Sequence, residues 1–169
     1  MRPATRMRLT RNLDRPTAYI AGVGTYLPID TIASSTLEDQ LRASGMSIPP
    51  GFIERTTGIG ARHVIAPGEN ASDLATAAAV SALRSGGCDP LDVDVLIFAA
   101  ASHDVTEPAT ANIVQAKLGA REAYVFDVKN ACNSLLSALD VADALIQARR
   151  AERILIATGE VTSSSSIGA

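Results

Sequence analysis

Tyr124-Val125-Phe126-Asp127-Val128-Lys129-Asn130-Ala131-Cys132-Asn133-Ser134-Leu135-Leu136-Ser137-Ala138-Leu139 is the stretch whose reading decides the fold. Tyr124 to Val128 is a short, largely apolar run that reads as a strand. After a polar turn, Leu135 to Ala148 reads as a helix. In it Leu135, Leu139, Ala142 and Ile146 recur at helical spacing and define one face suited to packing on a sheet. Cys132 falls between the two elements, at the amino terminus of the helix. Free amides and the helix dipole favour negative charge there, which is what a nucleophilic thiolate attacking a thioester requires. Position alone also allows a second reading, a small buried core residue.

The same alternation continues on both sides. Val93 to Ala100 reads as a strand, Ala109 to Leu118 as a helix stopped by Gly119, and Arg153 to Thr158 as a strand. Upstream, a helix is predicted from near Ser72, with Asp73 at its positive end, to Gly86 and Gly87. A shorter helix is predicted from Thr36 to about Ser44, followed by a Gly45 to Gly51 loop containing Pro49 and Pro50. Ala18 to Val23, closed by Gly24 and Pro28, reads as a buried strand and turn. Gly22 and Gly24 do not open a dinucleotide loop, because Leu27 stands at the third glycine position and Pro28 blocks the helix start. Strands alternating with helices imply parallel pairing, hence a layered α/β fold with a mostly parallel sheet. No tandem repeat is visible. The polar stretch Thr162 to Ser166, with Gly168, follows a buried strand and is an awkward end for a complete domain.

Composition narrows the function classes. The 169 residues, 47% hydrophobic and 20% charged, suit one globular domain. No apolar run approaches the ~18–20 residues of a membrane span, and no apolar stretch near the start serves as a secretory signal, so the expected location is cytoplasmic. Cys88 and Cys132, the two cysteines, provide neither a disulfide framework nor zinc-site spacing, so no metal is expected and Cys88 reads as plain loop. Residues 1–16 form a basic segment with Arg2, Arg6, Arg8, Arg11 and Arg15 against Asp14; it reads as a disordered tail, with a transit peptide or anionic docking tail as alternatives. Residues 16–169 retain ten basic and seventeen acidic residues, a net charge of −7, which argues against a nucleic-acid surface.

Asp127 to Leu139 resembles the nucleophile turn of the ketoacyl-acyl-carrier-protein synthase III family, within the thiolase superfamily. Further stretches resemble the family in order: Gly22-Val23-Gly24-Thr25-Tyr26-Leu27-Pro28 its first strand and turn, and Ile53-Glu54-Arg55-Thr56-Thr57-Gly58-Ile59 with Arg62-His63 its arginine-bearing loop. Ala157-Thr158-Gly159-Glu160 resembles the end of the strand after the nucleophile helix. The resemblance covers about residues 18 to 161 and implies a thiolase-like fold whose amino-terminal half spans residues 17–169. It implies that Cys132 accepts an acyl group from coenzyme A or a carrier protein, and that a second acyl thioester then attacks as a carbanion. The thioesters are substrates, and no cofactor is implied. Arg55 and Arg62 correspond to a loop that binds the phosphates of coenzyme A or a carrier arm; the extra threonine of Thr56-Thr57 departs from the family's commoner form.

In the family, the loop matching Ser102 to Asn112 crosses a dimer interface to the partner's acyl pocket. Glu107 resembles the glutamate of the branch that joins two acyl chains head to head and of related α-pyrone ketosynthases. Such substrates have no carboxylate to lose, so a base must remove the proton beside the carbonyl. An acidic residue beside Pro108 at a helix start is also favoured by the dipole without any catalytic duty. The family's enolate-stabilising histidine and asparagine belong to its carboxy-terminal half. His63 reads instead as a surface or loop residue beside Arg62, and His103 as a loop residue after a strand. The expected assembly is therefore a pair with a polypeptide carrying the carboxy-terminal half, doubled into a dimer of pairs, with this chain inactive alone. Decarboxylative malonyl-dependent condensation, acyl transfer to an alcohol or amine, and a non-catalytic interaction subunit are the alternatives.

Overall fold

The computed structural model describes residues 17–162. The basic segment 1–16 and the polar end beyond Thr162 lie outside the described residues. In chain order the elements are β1 (Thr31–Ala33), α1 (Ser34–Ala43), α2 (Phe52–Thr57), β2 (Ala61–His63), α3 (Ala71–Gly86), β3 (Val95–Ala99), α4 (Thr110–Leu118), β4 (Tyr124–Val128), α5 (Ser134–Gln147) and β5 (Ile154–Ala157). The strands and long helices expected from residue 93 onward are present with ends shifted by a residue or two. The arginine-bearing stretch is more ordered than a loop, since it contains α2 and pairs β2 antiparallel with β1.

β3, β4 and β5 form a parallel sheet in the order β4-β3-β5. Every residue of β3 is buried, and its side chains alternate between two layers. Leu96 and Phe98 pack with Ala75, Ala79 and Leu83 of α3 and Ala111 and Val114 of α4. Val95, Ile97 and Ala99 pack with Ala138 and Ala142 of α5. Burying a side chain the size of Phe98 or Ile97 contributes about 1.5–3 kcal/mol, whereas an exposed ion pair such as Arg121 with Glu122 contributes about 0–1 kcal/mol. The hydrophobic layers therefore hold the fold.

Two expectations need correction. The face of α5 that meets the sheet is Ala138, Val141, Ala142 and Leu145, not the Leu135, Leu139, Ala142 and Ile146 row. Alanine lets the helix backbone approach the strands, and Leu135, Leu136 (63% exposed) and Leu139 are left facing outward. Ala18 to Val23 is neither a strand nor buried. It runs along α3, with the Val23 amide donating to Ser85 Oγ at 3.0 Å and that hydroxyl donating to the Val23 carbonyl at 2.9 Å. A strand needs a neighbouring ladder, and among the described residues none lies beside it. The glycines here permit close approach: a Cβ on Gly24 would stand 2.2 Å from the Ala82 nitrogen.

Gly159, just past β5, is similarly constrained, because an added Cβ would lie 2.2 Å from the Ala71 carbonyl oxygen at the start of α3. Backbone atoms cannot yield as a flexible side chain does. Gly159→Ala is therefore expected to cost about 1–3 kcal/mol, measured as a lower denaturation midpoint; an unchanged midpoint would show that β5 and α3 can separate at no cost.

Candidate functional site

Three parallel strands end on one edge of the sheet, and the segment leaving each strand is tied to its neighbours. After β3 come Ala101, Ser102 and His103. After β5, the Glu160 carboxylate accepts the amides of Ala101 at 2.6 Å and Ser102 at 3.1 Å, and the Val161 amide and carbonyl both meet Ser102 Oγ. After β4 comes the turn that carries Cys132. Ligands of open α/β sheets bind at this carboxyl edge, where loops from several strands converge.

The Cys132 turn is sharp. Ala131 adopts φ of +47°, a left-handed conformation that costs a non-glycine residue about 1–2 kcal/mol. Ser134 offsets that cost: its hydroxyl, 2% exposed with the residue, accepts the Asn130 amide at 2.8 Å and donates to the Ala131 carbonyl at 2.8 Å. The Asn133 amide also reaches the Asn130 carbonyl at 2.9 Å, and Asn130 Nδ2 donates to Ser137 Oγ at 2.9 Å. Cys132 is thereby presented just before α5, exposed, with no hydrogen bond to its sulfur among the described residues. Among the described residues Cys132 belongs to neither hydrophobic core cluster. Cys88, by contrast, packs against the core, where burial pushes its thiol above the ordinary value.

Asp127 is the one acidic residue in β4. Its Oδ1 accepts the Ala111 amide at 2.8 Å, and its Oδ2 accepts the Thr110 amide at 2.8 Å and faces His103 Nδ1 at 3.0 Å. The carboxylate thus fills the positive end of α4. Both ends of the loop carrying Glu107 are fastened to it. Glu107 itself is exposed, joined to Pro108 by a cis peptide bond, and enters no side-chain hydrogen bond or ion pair among the described residues, with Cys132 or any other group.

The arginines sit apart, on the α1 to β2 segment. Arg55 Nη1 donates to the Pro50 carbonyl at 2.6 Å, and Arg62 Nη1 donates to Ser34 Oγ at 2.9 Å. Neither forms an ion pair among the described residues. The Thr56 and Thr57 hydroxyls, including the extra threonine, bond back to the Phe52 and Ile53 carbonyls, so the departure is absorbed within α2. His63 is exposed beside Arg62 with Nδ1 at 2.6 Å from the Pro28 carbonyl, and His103 is a loop residue, though half-buried. Among the described residues no group of three or more histidine, cysteine or acidic side chains could hold a metal, and no helix is long and apolar enough to cross a membrane. A cleft of about 260 Å3, lined by Tyr26, His63, Leu74, Gly159 and Glu160 among others, does not include Cys132.

Asp127 and Ser134 were missed in the sequence, although an acid inside an apolar strand was a visible signal, since such a group must find partners. Glu38 was missed as well. Its buried carboxylate accepts the Ile53 amide at 2.8 Å and the Gly51 amide at 2.7 Å, which fastens α2 to α1. The Ile53 amide first, then the Gly51 amide and the Arg42 and Arg55 charges, hold Glu38 below its ordinary value against the opposing effect of burial. A depressed folded-state value stabilises the fold above the ordinary carboxylate range and is lost as the pH falls through the folded-state value. Protection of the Ile53 amide from hydrogen exchange is thus expected to fall on acidification below about pH 4.5, and to be weak at neutral pH in Glu38→Gln. Unchanged protection in that variant would remove Glu38 as the anchor.

A family model described as 3-oxoacyl-[acyl-carrier-protein (ACP)] synthase III matches residues 126–166. The beta-ketoacyl-[acyl-carrier-protein] synthase III of Rhodospirillum rubrum is 43% identical over 147 residues, covering 86% of this chain and 44% of that protein. The protein of the same description from Methylococcus capsulatus is 40% identical over 146 residues, with coverage of 86% and 44%. Among solved structures, cerulenin-bound OleA of Xanthomonas campestris aligns with a TM-score of 0.82 at 28% identity, covering 89% of this chain and 46% of that one. The 3-oxoacyl-[acyl-carrier-protein] synthase III of Aquifex aeolicus aligns with a TM-score of 0.73 at 33% identity, covering 83% and 44%. The chain spans less than half the length of the curated relatives it matches.

Proposed function

Starting from a chain that is ketoacyl-acyl-carrier-protein synthase III-like and corresponds to the amino-terminal half of a thiolase fold, we propose that it is the acyl-accepting half of a condensing enzyme. The observation that carries this reading is Cys132, exposed on a sharp strand-to-helix turn at the carboxyl edge of a parallel sheet. Its thiolate attacks the carbonyl of an acyl thioester, and the thiol of coenzyme A or a carrier protein leaves. Glu107 then removes the proton beside the carbonyl of a second acyl thioester. The resulting carbanion attacks the acyl-Cys132 carbonyl, a carbon–carbon bond forms, and Cys132 leaves as a thiolate, giving a β-ketoacyl thioester. The likeness to OleA and the family branch that Glu107 resembles support this head-to-head reading.

Completion requires the carboxy-terminal half of the fold, with the histidine and asparagine that stabilise the enolate. The outward row Leu135, Leu136 and Leu139 beside Cys132, and the exposed Tyr19, Ile20 and Ile29, are apolar surface that such a half would cover. Two copies of the completed fold would bring the Glu107 loop of one to the acyl pocket of the other. Arg55 and Arg62, with guanidinium donors to spare, would take the phosphates of the thioester carrier.

The name of the curated relatives, beta-ketoacyl-[acyl-carrier-protein] synthase III, favours a second reading, in which a malonyl thioester supplies the carbanion by losing carbon dioxide. The two are separated by product. The chain assembled with its carboxy-terminal half should gain an acyl adduct on Cys132 in intact mass spectra and yield a β-keto product from two simple acyl thioesters. Glu107→Ala should slow condensation by about a hundred- to ten-thousand-fold while sparing acylation. No adduct in the assembled complex sinks the enzyme reading; an obligatory malonyl donor with an active Glu107 variant selects the second.

A further inference from the structure

His103 is the one aromatic side chain in the segment between β3 and α4, and its ring is held from three sides. Nδ1 lies 3.0 Å from Asp127 Oδ2, Nε2 lies 3.1 Å from the Ala100 carbonyl oxygen, and the ring stands edge-on to buried Phe98 with centroids 5.4 Å apart. Both nitrogens face acceptors, so the ring acts as a donor wherever it carries hydrogen. Its side chain is 13% exposed and that of Asp127 17%, too sheltered for water to replace these bonds at no cost. The next residue adds a further tie: Asp104 Oδ1 accepts the Ser72 amide at 3.0 Å, and the Asp104 amide reaches Thr110 Oγ1 at 3.3 Å. Beyond it Val105, Thr106, Glu107 and Pro108 are exposed.

Four exposed residues are therefore hung between two anchored ends. The entry end is His103 and the exit end is the pair of amides at Thr110 and Ala111, and all three bond to the same carboxylate. Asp127 lies five positions before Cys132 on β4 and its turn. One side chain thus relates the loop of Glu107 to the strand of Cys132, while no hydrogen bond among the described residues joins Glu107 to Cys132 directly.

We propose that His103 is a positioning residue: by bridging Ala100 and Asp127 it fixes the Glu107-bearing loop against the strand leading to Cys132 of its own chain, and so sets how that loop leaves the sheet toward the acyl pocket of the other copy. This rests on the reading of Glu107 as the base, but the placement can be tested without activity. Spin labels on Cys132 and on Glu107→Cys, in a Cys88→Ser background of the full chain, report the loop-to-strand distance distribution by electron paramagnetic resonance. His103→Phe keeps a ring against Phe98 and removes both ring nitrogens; it should broaden or split that distribution. His103→Asn, which retains a donor toward Asp127, should restore it. The amide protons of Ile97 and Phe98 should stay protected in both variants, which separates loss of position from loss of fold. An unchanged distribution in His103→Phe, or a broadening that His103→Asn does not reverse, overturns the proposal. In the assembled enzyme with Glu107 intact, His103→Phe should reduce condensation at least tenfold and leave Cys132 acylation unchanged; equal losses in both steps would also overturn it. Failure of the unmodified assembly to acylate Cys132 sinks the proposed function instead, and leaves the distance result to stand by itself.

Discussion

Asp127 belongs to a parallel strand, yet its carboxylate is committed to the backbone and ring of another segment. Three donors converge on two oxygens: the amides of Thr110 and Ala111, and the imidazole of His103. A carboxylate in this half-buried position would be costly without partners, and the first-turn amides of α4 would be equally costly without an acceptor. Each satisfies the other. The consequence reaches past local stability, because the same bonds join the loop between β3 and α4 to the strand whose continuation is the Cys132 turn.

That turn is assembled from short-range interactions of a different kind. Ala131 accepts an unfavourable backbone conformation, and Ser134 holds it by bonding to the Asn130 amide and the Ala131 carbonyl. The result is an exposed sulfur at the start of a helix whose inner face is rich in alanine. Small residues draw α5 close to the sheet, while Leu135, Leu136 and Leu139 face away. The side of the helix that would ordinarily be expected to pack is therefore left uncovered next to Cys132.

The carboxyl edge gains rigidity from a third contact. Glu160 grips the amides of Ala101 and Ser102, and Gly159 lets the end of β5 lie against the start of α3. The segments that leave β3 and β5 are consequently fixed to each other at the carboxyl edge, in addition to the hydrophobic layers. On the other side, Glu38 and Ser34 of α1 fasten α2 and β2, so Arg55 and Arg62 depend on a buried acid and a buried hydroxyl from a neighbouring element.

Much of this was legible in the sequence. The alternation of apolar runs and helical spacing identified β3, α4, β4, α5 and β5, because those periods follow from backbone geometry and burial alone. The position of Cys132 at a strand-to-helix turn was equally readable. Tertiary structure decided the rest. Ala18 to Val23 had the composition of a strand, but strand formation depends on a neighbour that composition cannot supply. The spacing of Leu135, Leu139, Ala142 and Ile146 marked a face of α5, but which face met the sheet depended on how closely Ala138 and Ala142 let the helix approach. His103, Asp127 and Glu38 stood as scattered polar residues, since hydrogen bonds between residues 13 to 24 positions apart leave no periodic trace. The sequence by itself determined the layers and the place of the sulfur; only the folded chain decided which polar groups hold that place, because their partners are brought together by packing.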